Sequence, residues 1–88
     1  MSRSAQIDVS EVESGLFDVV VDEFVSARSF RITLKDSGYS RLAKGRSKVV
    51  FIQDAFRFLL MREPKESILG SFDIADISTY FPEFEKEI

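Results

Sequence analysis

No cysteine, histidine or tryptophan occurs in the chain. Without cysteine there is no disulfide framework and no thiolate metal site, a composition that suits a reducing compartment. Without histidine the commonest general base and the commonest transition-metal ligand are missing. Together the two absences exclude Ser-His, Cys-His and the usual zinc-hydrolase chemistry. Glycine is scarce, and Gly38 and Gly45 fit neither the P-loop nor the dinucleotide-binding spacing. No apolar run approaches the roughly 18–20 residues of a membrane span. The segment Met1–Gln6 is short and polar, with no hydrophobic stretch of the signal-peptide kind. The expectation is a cytoplasmic domain with no cofactor, no metal and no membrane partner. Carboxylates do recur in pairs, Asp18 with Asp22 and Asp73 with Asp76. Nothing beside them supplies a second catalytic group, so they read as solvated faces and the chain as a binding domain, not an enzyme.

The chain does have apolar bulk. Nine phenylalanines and two tyrosines sit among 88 residues. Each fully buried Phe contributes about 1.5–3 kcal/mol. That length fits one domain.

Period-2 alternation marks the first half. Ile7–Val12 reads as a weak edge strand, broken at Ser14-Gly15. Leu16–Phe24 reads as a strand, with Phe17, Val19 and Val21 on one face and Asp18, Val20 and Asp22 on the other. Val25–Ser29 is short enough for a hairpin loop. Phe30–Leu34 follows, with Phe30, Ile32 and Leu34 opposite Arg31 and Thr33; Phe30 is therefore expected in the core. Asp36-Ser37-Gly38 is a turn signal, and Tyr39–Arg46 reads as a basic loop or short helical turn. Lys48–Ile52 ends in four consecutive β-branched or aromatic residues, which predicts a buried fourth strand. Asp54 then opens a helix with apolar positions at Ala55, Phe56, Leu59 and Leu60, stopped before Pro64.

The remainder reads as helical pieces. Pro64–Leu69 makes one turn with Gly70 at its C-cap. Ser71 and Asp73 cap a second piece carrying Ile74, Ile77 and Phe81. Phe84 and Ile88 share a face of a last acidic turn. The expected fold is α+β: an antiparallel four-stranded sheet packed by one main helix (ββββα, residues 1–63), with a short helical tail (64–88), all in a single domain.

Charge is distributed unevenly. Residues 1–27 carry one base and six acids, residues 28–48 seven bases and one acid, and residues 49–88 four bases and eight acids. Phe30 and Tyr39 lie inside the basic window. Cations interleaved with aromatic rings are what a single-stranded nucleic acid site uses: the cations neutralise phosphates and the rings stack on bases. The candidate site is Arg28, Arg31, Lys35, Tyr39, Arg41, Lys44, Arg46 and Lys48, with Tyr39 the stacking ring. The alternative is internal neutralisation, with Asp18 and Asp22 facing Arg31 and Lys35 across the hairpin.

Phe17-Asp18-Val19, then Ser29-Phe30-Arg31-Ile32-Thr33-Leu34, then the run from Ser47 to Leu59 with its strand leading into a Phe-rich helix, together resemble a PUR repeat. Proteins of that family, like the PC4-like coactivators of similar shape, bind single-stranded nucleic acid. The resemblance spans residues 7–63 and implies a ββββα unit, single-stranded DNA or RNA on the sheet, and a homodimer. A second segment, Gly45-Arg46-Ser47-Lys48 followed by Ile52, Ala55, Phe56 and Leu59-Leu60, is similar to the turn and second helix of ribbon-helix-helix antitoxins and repressors. That resemblance implies groove-facing Arg31, Thr33 and Lys35 and an acidic toxin-binding tail. It also makes residues 48–52 helix where the PUR resemblance makes them strand. A third reading needs no nucleic acid: a protein-interaction module whose apolar, acidic tail offers Ile77, Tyr80, Phe81 and Phe84 to a partner, unless those residues pack back on the sheet.

Overall fold

The computed structural model describes residues 5–88. Met1–Ser4, including Arg3 and most of the polar N-terminal stretch, lie outside the described residues. Three strands come first: β1 (Gln6–Glu13), β2 (Leu16–Asp22) and β3 (Ala27–Thr33). They form an antiparallel meander in which Val19 faces Val9 on one side and Phe30 on the other. Gly15, at φ +79°, makes the first turn, and its carbonyl accepts a hydrogen bond from Leu34 N at 2.9 Å. The alternation works as the sequence implies. Ile7, Phe17, Val19, Val21, Phe30 and Ile32 are buried on one face. Asp8, Asp18, Asp22 and Arg31 occupy the other.

The chain then leaves the sheet. Helix α1 (Asp36–Leu42) covers the turn-and-loop segment, and a left-handed pair, Lys44 (φ 52°) and Gly45 (φ 84°), turns it into α2 (Lys48–Leu60). A 3-10 turn over Lys65–Ser67 leads to β4 (Ser71–Asp73). A second 3-10 turn (Ile74–Asp76), α3 (Ile77–Tyr80) and α4 (Phe84–Glu87) complete the chain.

Three expectations are corrected here. Residues 48–52 are not a strand but the first turns of α2, and the helix cap is Ser47, whose Oγ accepts from Val50 N at 3.2 Å; Asp54 lies inside the helix. The physical reason is the spacing of the buried positions. Phe51, Ile52, Ala55, Phe56 and Leu59 form one continuous helical stripe, which a strand ending at Ile52 would cut in two. Unfavourable helix propensity at Val49, Val50 and Ile52 amounts to no more than about 0.7 kcal/mol each. Burying Phe51 and Ile52 returns about 1.5–3 kcal/mol each, so packing overrides propensity.

Second, the sheet is mixed. Its fourth strand is Ser71–Asp73, and it runs parallel to β3, with Ile32 opposite Phe72. Between β3 and β4 lies a crossover containing both long helices, as a parallel neighbour requires. Arg31 N donates to Gly70 O at 2.8 Å, which places Gly70 at the start of this strand and not at a helix C-cap.

Third, among the described residues four α-helices replace one main helix and a tail. The expected cap at Asp73 is present, its carboxylate accepting from Ala75 N at 2.9 Å. Residues after Pro64 enter the same core as the sheet: Ile68, Ile74, Ile77 and Phe84 are all buried. Phe58 packs edge-on against Phe84 with ring centres 4.9 Å apart, and Phe56 lies 5.1 Å from Phe30. Arg62 closes this end, stacked 3.6 Å over Phe58 and bonded to Glu83 and Glu87. Burial works against the charge of Arg62, but the two carboxylates outweigh it and raise its pKa.

Candidate functional site

The basic window is distributed around the molecule. Arg31 projects from the solvent-facing side of the sheet and pairs with Asp18, its cross-strand neighbour, at 2.5 Å. Arg28 is on the opposite face, over the Phe30 ring, with its Nη1 donating to Lys65 O at 2.6 Å. Lys35 meets Asp73 at 3.7 Å. Arg41 reaches from α1 to Glu85 of α4 at 2.7 Å. Arg46 is half-buried, holding Asp54 at 2.9 Å and the carbonyl of Ala43 at 2.8 Å. Four of the seven cations are thus neutralised by carboxylates of the same chain. Among the described strand residues, the face of the sheet that a PUR-like ligand would occupy carries Asp8, Asp18, Asp22 and Asp73 around the one cation Arg31.

What remains together is the corner between α1 and α2. Tyr39 is half-buried; its hydroxyl donates to Arg46 O at 2.6 Å and its ring meets the edge of Phe51. Lys48 Nζ sits 5.6 Å above the centre of the Tyr39 ring, so the expected stacking ring is already covered by a lysine. Lys44 stands exposed on the left-handed turn. Arg46 and Arg57 share the one carboxylate of Asp54.

The fourth strand follows α2 instead of preceding it, which departs from the ββββα unit that the PUR resemblance implies, whereas residues 48–52 are helix, as the ribbon-helix-helix resemblance implies.

A different feature takes form at the other end of α2. Leu59, Ile68, Phe72 and Ile77 line the floor of a groove of about 290 Å³. Leu69 and Tyr80 stand at it with 58% and 68% of their surface exposed. Glu63 and Asp76 are its charged lining residues. The groove forms because α2 stops before Pro64 and the chain folds back beside it through the 3-10 turn, β4 and α3. Of the anchors expected in the tail, Ile77 and Phe84 are buried and Phe81 is half-buried in packing against Phe58; Tyr80 alone remains open.

Comparisons with protein-family models, curated proteins and solved structures find no match. The groove was not legible in the sequence because Leu59, Phe72 and Tyr80 belong to three different elements and Leu69 to the connection before β4. A partial signal was present: Leu69 and Tyr80 fall outside the buried period of their segments. No helix among the described residues is long and apolar enough to cross a membrane.

Proposed function

We propose that the domain binds without catalysing a reaction, and that its ligand is a segment of another protein held in the groove between α2, β4 and α3. The observation that carries this reading is the exposure of Leu69 and Tyr80 beside an apolar floor. Large apolar side chains left in solvent around a concavity mark interaction surfaces. Neutralisation of Arg31, Lys35, Arg41 and Arg46 by the chain's own carboxylates weighs against a nucleic acid in the first place. The test is co-purification from the native host after nuclease treatment, comparing the wild-type chain with a Leu69→Ser, Tyr80→Ser variant. A protein retained by the first and lost by the second supports the reading. Identical captured sets from the two chains refute it.

A second reading rests on the turn into α2 and its first residues, where Lys44 and Lys48 meet no described carboxylate beside Arg46, which with Arg57 shares Asp54. Here the domain would hold single-stranded DNA or RNA by its phosphates. Polarisation of a labelled oligonucleotide at two salt concentrations tests it. Replacing Lys44 and Lys48 by alanine should flatten the salt slope by roughly two phosphate contacts. No binding at low salt eliminates this reading.

A further inference from the structure

The pairing pattern of the carboxylates narrows the chemistry of the ligand. Eight acids follow residue 48. Six of them meet a base of the same chain: Asp54 meets Arg46 and Arg57, Glu66 meets Lys65, and Asp73 meets Lys35. Glu83 and Glu87 meet Arg62, and Glu85 meets Arg41. Glu63 and Asp76 are the two whose side chains bond to no described residue, and both line the apolar groove. No cation lines it.

We infer that the segment held in the groove is an apolar stretch flanked by lysine or arginine, its apolar side chains seated between Leu69 and Tyr80 and its cations meeting Glu63 and Asp76. The inference rests on the proposed protein-binding role and adds the partner's charge to it. A groove of about 290 Å³ lies at the lower end of ligand pockets. It takes a few large apolar anchors and leaves the rest of the segment to the rim. An acidic flank would set like charges against two carboxylates that have no ion-pair partner among the described residues. A cationic flank supplies the missing partners, and complementary rim charge sets both partner choice and encounter rate.

A phage-displayed library of random nine-residue peptides, selected on the full chain, tests this. Enriched peptides should combine large apolar residues with Lys or Arg. Measured by fluorescence polarisation, their binding should be lost in the Leu69→Ser, Tyr80→Ser variant. It should weaken roughly three- to tenfold in a Glu63→Gln, Asp76→Asn variant, as exposed ion pairs do, and should weaken again as salt is raised. All four positions border solvent or the groove, and circular dichroism checks that each variant is folded; should the double serine variant unfold, Leu69→Ser alone serves. Peptides that need Leu69 and Tyr80 but show no Lys or Arg bias, or ignore the Glu63→Gln, Asp76→Asn change, overturn the charge inference and leave the groove reading standing. Absence of enrichment, or binding indifferent to Leu69 and Tyr80, removes the groove reading and this inference with it.

Discussion

Lys65 places its ammonium 2.7 Å from the carboxylate of Glu23, joining the segment after α2 to the loop between β2 and β3. The side chain is buried, and its charge is shared with Glu66 at 2.6 Å and with the hydroxyl of Ser26 at 2.7 Å. Its carbonyl accepts from Arg28. Lys65 is thus fixed from both ends just before the chain enters β4, the strand that forms part of the groove floor.

Removing the carboxylates should harm the fold more than removing the lysine. An unpaired buried charge is costly, whereas an apolar side chain of similar volume is often tolerated in place of an ion pair. In thermal melts the Glu23→Gln, Glu66→Gln variant should therefore fall further below wild type than Lys65→Met. The reverse order would show that the ammonium is hydrated in solution.

Stability should decline at both pH extremes for named reasons. Hydrogen bonding to Lys65 holds the Glu66 carboxyl below its ordinary value of 4.5. A bond from Arg41 does the same for Glu85, and Glu83 is lowered by its own backbone N–H and by Arg62. Groups with lowered pKa stabilise the fold fully above the unfolded value and lose that contribution as they are protonated. Unfolding free energy should thus be flat down to about pH 4.5 and fall below it. Bonds to Glu23 and Glu66 raise the pKa of Lys65 above 10.5, so its contribution holds up to that pH and is lost as the lysine deprotonates. Urea titrations across pH check both limbs.

Ser47→Ala removes the hydroxyl that caps α2. Loss of such a cap costs about 1 kcal/mol, which for a domain this small lowers Tm by roughly 4–8 °C. If the helix began at Asp54, as local propensity suggests, the substitution would change nothing.

Phe84→Ala tests whether the last helix belongs to the fold. Phe84 is fully buried against Phe58. Deleting a core phenylalanine costs about 3–5 kcal/mol, a large share of the roughly 5–15 kcal/mol available to a domain. Guanidinium denaturation should show a correspondingly lower midpoint, and an unchanged midpoint would mean that residues 84–88 are detached in solution.

Where the sequence is legible, a periodic pattern is long enough to have one solution. Phe17, Val19 and Val21 against Asp18, Val20 and Asp22 leave little choice of face, and Phe30 with Ile32 repeats the pattern. The same logic fails at Val49–Ile52, where a short apolar run suits strand and helix equally. Only the continuation to Ala55, Phe56 and Leu59 decides between them. The basic window misleads for a related reason. Adjacency in sequence says nothing about Asp73 and Glu85, which arrive from far along the chain to neutralise Lys35 and Arg41.

Local pattern thus determined the three-strand meander and the existence of a Phe-rich helix, because these depend on residues a few positions apart. Tertiary structure alone decided that Ser71–Asp73 becomes a parallel edge strand, which cations keep their charge available, and that Leu69, Tyr80, Glu63 and Asp76 come to border one groove. Each of those outcomes depends on contacts between residues of different segments, and such contacts form only when the whole core is buried at once.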